Sequence, residues 1–550
     1  MLDSMDAARI IAYFKGKSIL ITGSTGFLGK ILVEKILRVQ PDVRKIYLLV
    51  RGGTDASSAK QRVQEEWQQP ILARSSCLVV VQVTITFDLA LVSTGSTSEL
   101  MPSYCVWSPP KVRSLMMRQV IGIELFGLLR KRHGDGFQQF VDKKIVAVAG
   151  DIVYNNLGLE APVYDQLTKE IDIVVNIAAT TNFYERYDVS LDVNVMGVKH
   201  LCQFAKKCAS LKMLMHVSTA FVSGLKEGLI LEKPIKPGES LQEGLCLDVD
   251  AEVRLVKDTK KELKLNAGDD ANKTDRKVMK ELGLQRARHF GWSNTYVFTK
   301  AMGEMLLSQL RGDIPLVIIR PSIITSVQAD PLPGWMQGTR TIDTIIVGYA
   351  KQNLSNFLGN LDLVMDVIPG DMVVNAMMVA MVAHSDERGT QVVYHATSSL
   401  RNPFTGRVFY EAGRKYFYEN PRMGKNGEVI PTKEMHFFNT IARFHLYMLL
   451  TYKLPLEILH LVNLLLCGLF SRLYDEQNRK YKFVMHLVDV YGPFIFFKGC
   501  YDDMNLERLR LTMAMKTPED RMFNFDPKTI DWDEYFYRIH IPGVIKYVCK

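Results

Sequence analysis

The run Ile21-Thr22-Gly23-Ser24-Thr25-Gly26-Phe27-Leu28-Gly29-Lys30 restricts the possible folds of this chain more than any other stretch. Residues 17–22 form an apolar, strand-like lead into it. Residues 27–39 carry Phe27, Leu28, Ile31, Leu32 and Leu37 at helical spacing, which predicts a helix with one buried face. A second strand-like run follows at residues 46–50, so strand, helix and strand fit within about thirty-five residues, a unit that implies parallel pairing. Gly23, Gly26 and Gly29 fall where the strand turns into the helix. A side chain there would keep the backbone away from a pyrophosphate, whereas bare N–H groups at the positive end of a helix bind that anion. An ordinary tight turn also uses glycine; the strand before and the helix after select the dinucleotide cradle. Thr22, Thr25, Phe27 and Leu28 complete the predicted cofactor-binding set on this turn.

Further strand-like runs at residues 145–149, 171–177, 213–217 and 316–319 alternate with helical stretches. The pattern predicts an α/β fold, a Rossmann-type doubly wound parallel sheet. At 550 residues the chain exceeds the roughly 250–300 residues at which single cores stop growing, so two domains are expected. We place a nucleotide-binding domain at residues 15–400 and a smaller, mainly helical domain at 401–550. The formal net charge of +9 suits an anionic small molecule or an acidic membrane face, and equally an ordinary basic protein. No nucleic-acid partner is expected. The eight cysteines show no CxxC and no paired spacing with histidine, which points to reduced thiols and no metal site. Asp3 and Asp6 interrupt the first residues, and no apolar signal-like core is present there.

Three segments carry candidate chemistry beyond the glycine turn. In Gly291-Trp292-Ser293-Asn294-Thr295-Tyr296-Val297-Phe298-Thr299-Lys300, Tyr296 and Lys300 stand four apart and share a helical face. A phenol of ordinary pKa about 10 is a poor acid–base catalyst at neutral pH, and a neighbouring cation is expected to lower it. Such a tyrosine can hand a proton to an oxygen while hydride reaches the adjoining carbon. In His216-Val217-Ser218-Thr219-Ala220-Phe221-Val222-Ser223-Gly224, a hydroxyl follows a strand at the carboxyl edge of the sheet. It could donate to a substrate carbonyl or cap a turn; Thr219 is the preferred donor and Ser218 the alternate. Arg51, directly after the second strand, is placed to meet a 2′-phosphate, which favours NADPH over NADH. Ala178, in the small-residue run Asn176-Ile177-Ala178-Ala179, would let backbone approach the cofactor, and Asn194 suits a turn or helix-positioning role.

Other stretches depart from this rhythm. Residues 67–119 lose charge and gain Ser, Thr, Val and Pro, and the charged stretches on either side would join into one amphipathic helix. The segment is either an insertion into the fold or a genuine long loop. Residues 252–288 are charged and helical in composition. Residues 455–470 form the most apolar window but carry Glu457, His460 and Asn463, so a buried helix is expected first and a membrane-surface helix second.

These motifs together resemble the plant alcohol-forming fatty acyl-CoA reductases, extended short-chain dehydrogenases with a C-terminal male-sterility domain. The match is carried by TGSTGFLG, NIAATTNF, HVSTAFVSG, GWSNTYVFTKAMGE, IIRPSIITS and, in the tail, KYKFVMHLVDVYGPFIFFKG. It spans nearly the whole chain outside residues 67–119. The resemblance implies NADPH as cofactor, a long-chain fatty acyl-CoA as substrate and two successive reductions through an aldehyde to a primary alcohol. Alcohols of that kind feed waxes, suberin or pollen-wall polymers. It further implies Tyr296 and Lys300 as the catalytic pair, Thr219 as hydroxyl donor and the three glycines as the pyrophosphate turn. Nothing resembles the plastid-targeted members' leader, so the cytoplasmic face of the endoplasmic reticulum or the cytoplasm is expected, with possible peripheral membrane contact. Two alternatives stay open: a related dehydrogenase acting on another carbonyl compound, and a catalytically impaired NADPH-binding variant.

Overall fold

The computed structural model describes residues 4–51, 116–265, 271–352, 354–423, 426–513 and 517–549. Most of the atypical segment 67–119 lies outside the described residues. A seven-stranded sheet forms the centre of the molecule. Its strands are β1 (Ser18–Thr22), β2 (Lys45–Val50), β3 (Ile145–Ala149), β4 (Ile173–Asn176), β5 (Met213–Val217), β6 (Leu316–Pro321) and β7 (Gln391–Ala396). Their spatial order is β3-β2-β1-β4-β5-β6-β7, and every pairing is parallel. The order reverses between β1 and β4, and in doubly wound sheets that switch point opens the ligand crevice. With both faces covered, the strands are buried almost throughout, which explains why they read as continuous apolar runs. β7 escaped the sequence reading because its QVVYHA opens on a polar residue and carries His395 inside.

Helix α1 (Phe27–Val39) packs on the sheet beside β1. Helix α2 (Thr295–Leu310) carries the YxxxK pair, and α3 (Gly370–Ala383) lies against α1. The charged stretch at 252–288 becomes two helices, Val249–Leu265 and Ala271–His289, tied by the buried Glu252 to Arg286 and to the Tyr187 hydroxyl.

Residues beyond 400 are interleaved with the sheet domain. Strand Gly499–Tyr501 pairs with Gly228–Ile230, and the Asp520 carboxylate accepts from the backbone N–H of Ala7. His540, fully buried, lies 3.1 Å from Asp343 and 3.0 Å from the Ser326 hydroxyl. One hydrophobic core therefore runs from Met5 through α1 and α3 to Val544.

The apolar window becomes α4 (Ile441–Leu465), followed by α5 (Ser471–Ile495). The expectation of a buried helix is corrected here. Only 17% of the most apolar part of α4 is buried, and Leu461, Leu464 and Leu465 are 60%, 63% and 81% exposed. Phe444, Met448, Leu456 and Asn463 are buried, the first two in the main core, whereas Leu446, Leu449, Leu450, Leu454 and Ile458 are exposed like the leucines just named.

Candidate active site

The glycine turn is shaped by close backbone approach. Gly23 has φ +70°, and a Cβ on it would stand 2.6 Å from the Ala178 nitrogen, so the ends of β1 and β4 touch there. A Cβ on Gly29 would stand 2.5 Å from the Gly23 carbonyl oxygen. Gly26 occupies the N-cap of α1 and no side chain caps that end, which leaves the helix terminus to an external anion. The Ser24 hydroxyl is buried beside the turn without a hydrogen-bond partner among the described residues. This backbone cradle fits a dinucleotide pyrophosphate.

Not every predicted cradle residue offers its side chain. Phe27 stacks on Trp335 at 5.3 Å, and the Arg340 guanidinium lies 3.8 Å from its ring centre. A Cβ on Gly370 would meet the Phe27 ring at 2.4 Å, so the ring is locked into the core. Leu28 is buried in the same cluster. Both can contribute backbone N–H groups only, because the apolar face of α1 takes their side chains. The Thr22 hydroxyl donates to Asn176 Oδ1 at 2.7 Å and accepts from the Ala178 N–H at 3.3 Å, which pins the two strand ends. Thr25 is half-buried on the turn, and Arg51 is exposed at the first position past β2.

The Asn294 side chain caps α2 by accepting from the Val297 N–H at 3.1 Å. Two residues further in, Tyr296 faces the Thr219 side chain across from the end of β5, near enough for that hydroxyl to favour its phenolate. The Thr219 hydroxyl itself donates to the Pro321 carbonyl at 3.5 Å. Thr219 sits at the N-cap of the short helix Ala220–Ser223, so it both caps and faces the phenol. Ser218 is buried with its hydroxyl unpartnered among the described residues. Lys300 is fully buried; its Nζ donates to the Val217 carbonyl at 2.8 Å and lies 3.3 Å from His216 Nε2. Burial holds the Lys300 amine down at about 8. The expectation that the cation lowers the phenol is corrected: burial pushes Tyr296 up to about 12, with the Thr219 hydroxyl pulling the other way. The physical reason is that the lysine's amino group is turned to the strand end.

Residues singled out weakly, or not at all, complete the site. Thr22, Asn176 and His216 are in register across β1, β4 and β5, and Asn176 Nδ2 lies 3.1 Å from His216 Nδ1. Asn194 bridges the Thr180 backbone and the Thr299 hydroxyl, fastening α2 to the loop after β4. Phe183 stacks on Tyr296 at 5.9 Å. Phe494, from the last turn of α5, lies 5.6 Å from Phe183 and 5.3 Å from Phe221, so the tail places an aromatic wall beside the phenol. A histidine within the apolar run MLMHV was the available signal for His216. Phe183 and Phe494, from distant segments, carried none.

Two family models, both described as male sterility protein, match this chain, one over residues 21–85 and 118–377 and the other over 451–550. Fatty acyl-CoA reductase 1 of Arabidopsis thaliana is 43% identical over 98% of this chain and 99% of its own length. The alcohol-forming fatty acyl-CoA reductase of Simmondsia chinensis is 42% identical over 98% of each chain. Among solved structures, a thiolation-reductase di-domain from an archaeal non-ribosomal peptide synthetase shares the fold, with a TM-score of 0.50 and 14% identity over 97% of this chain and 76% of that one.

Proposed function

The chain belongs to the fatty acyl-CoA reductase family, and from that premise we propose that it reduces a long-chain acyl-CoA to the primary alcohol with NADPH, for wax-, suberin- or sporopollenin-type lipids. Reduction of a fatty acyl-CoA to the alcohol at a nicotinamide cofactor is the activity; the 2′-phosphate, the chain length and the destination are the proposal. The observation that carries it is the placement of Tyr296 beside Thr219 at the carboxyl edge of the same sheet whose first strand bears the glycine cradle.

The cradle of Gly23, Gly26 and Gly29 would hold the pyrophosphate, and Arg51 would meet the 2′-phosphate. NADPH bound there supplies the hydride. Tyr296 and Thr219 receive the substrate carbonyl oxygen between their hydroxyls. With its pKa pushed up to about 12, Tyr296 stands protonated at neutral pH and is ready to donate. It protonates the thioester oxygen as the carbon is reduced to a hemithioacetal. It takes that proton back as the carbonyl re-forms, and the sulfur departs as the CoA thiolate, which takes its proton from solvent. It then protonates the aldehyde oxygen in the second reduction. Lys300, one turn along and near 8 but held at the Val217 carbonyl, would restore the phenol's proton through an intervening hydroxyl or water.

Phe183, Phe221 and Phe494 bound the side from which an acyl chain reaches Tyr296. The open apolar surface of α4 supports peripheral contact with a bilayer, from which such a substrate arrives. Six free cysteines among the described residues support a reducing, cytosol-facing position on the endoplasmic reticulum. The impaired-variant alternative gains no support at the site, where cradle, pair and hydroxyl donor stand together. Expression in a host lacking fatty alcohols, followed by gas chromatography of its lipids, tests the activity. A new long-chain alcohol peak is expected, and its absence with abundant folded protein refutes the proposal.

A further inference from the structure

The row Thr22–Asn176–His216–Lys300 is a continuous buried chain of polar groups from the nucleotide turn to the catalytic lysine. The direction of its hydrogen bonds is set by the Asn176 amide, whose Oδ1 faces the Thr22 hydroxyl and whose Nδ2 faces His216. One lone pair of the Thr22 oxygen accepts the Ala178 N–H, and the hydroxyl proton goes to Asn176 Oδ1. The Asn176 NH2 end thus donates to His216 Nδ1. His216 is neutral, because burial and the neighbouring lysine hold its pKa well below the ordinary imidazole value. A neutral imidazole that accepts at Nδ1 carries its single proton on Nε2, the atom that faces Lys300.

We infer that His216 is a positioning residue for the reaction, presenting an Nε2–H donor that favours the amine form of Lys300. An amine can accept that N–H while still donating to the Val217 carbonyl. An ammonium, which has no lone pair, cannot. Other groups around the lysine are Tyr296 one turn before it and Glu304 one turn after. Glu304, the carboxylate that acts on Lys300 among the described residues, is clamped by Arg320 of β6 at 2.6 Å, so its charge is shared with a guanidinium. Held near its midpoint, Lys300 can take up and release a proton repeatedly. One alcohol needs Tyr296 to act as acid, then base, then acid again.

This inference rests on Tyr296 and Lys300 being the catalytic pair, and two measurements separate its failure from theirs. In protein labelled with 15N-histidine, the ring nitrogens of His216, assigned by their loss in His216→Phe, should report the Nε2–H tautomer without any turnover. The Nδ1–H tautomer overturns the inference. In the pH profile of kcat/KM with NADPH and a long-chain acyl-CoA, His216→Phe should move the alkaline limb upward by about one pH unit, because the ammonium no longer meets a donor. Asn176→Asp, which would accept a proton from Nδ1 and turn Nε2 into an acceptor for the ammonium, should move it the same way. An unshifted limb in both variants, with rate alone reduced, assigns His216 to packing and overturns the inference, as does a downward shift.

Discussion

At Gly29 a methyl group would stand 2.5 Å from the Gly23 carbonyl, and that carbonyl belongs to backbone already pressed against β4. Gly29→Ala must therefore push α1 away from the turn. We expect NADPH affinity to fall about tenfold or more by fluorescence titration, roughly the effect of 1.4 kcal/mol, while acyl-CoA binding is spared. Tyr296→Phe removes the donated proton and leaves the stack on Phe183 available. It should lower kcat by roughly 100-fold to 10,000-fold with NADPH binding retained, the range for loss of a general acid. Arg51→Ala should raise KM for NADPH about tenfold or more and leave KM for NADH nearly unchanged, since only the former carries the 2′-phosphate. If both cofactors suffer alike, Arg51 has no such role. The glycines, Tyr296, Lys300 and Thr219 were legible in the sequence because turn chemistry and helical spacing are local properties. His216 was not, since its partners come from register across three strands. Nor was the burial of the Phe27 and Leu28 side chains, which depends on Trp335, Arg340 and α3 closing over α1.

Single elements show the same division between local and distant information. β1, β3 and β5 were bounded almost to the residue because parallel strands covered on both faces are uninterrupted apolar runs. Helix α4 was mistaken for a buried helix, because apolar composition cannot say whether protein or lipid covers it. Its polar residues suit a helix lying flat on a surface. Lys453 and Glu457 form an ion pair along it, and Asn463 binds the Phe470 N–H and ties α4 to the loop before α5. The exposed row Leu454, Ile458, Leu461 and Leu465 follows helical spacing. Placing glutamate at Leu461 and Leu465 should release the protein from anionic vesicles by about tenfold or more for each leucine, and leave thermal stability within error. Sedimentation with and without vesicles reads the first effect and a melting curve the second. Retained binding by the double variant would remove α4 as the membrane contact.

For the molecule as a whole, the tail does more than append a domain to a nucleotide-binding sheet. Trp532, Tyr535, Phe536, Ile541 and Val544 are buried in the same core as α1 and α3. His540 reaches Ser326 and Asp343, in the segments after β6, and Gly499–Tyr501 pairs in parallel with Gly228–Ile230. Each of those buried apolar side chains contributes about 1.5–3 kcal/mol, against a net stability on the order of 5–15 kcal/mol for a typical protein. A chain ending at residue 400 should therefore fail to fold, and should be recovered aggregated instead of as a small soluble reductase. A dehydrogenase acting on an unrelated carbonyl compound would have no need of the tail and could survive the cut. A shortened protein that is monodisperse, binds NADPH and still reduces a carbonyl would overturn both the shared core and the tail's part in the acyl site. Phe494→Ala in the full chain then asks the narrower question. With the core intact, it should leave NADPH binding alone and raise KM for long-chain more than for short-chain acyl-CoA, because only the longer chain reaches the wall formed with Phe183 and Phe221.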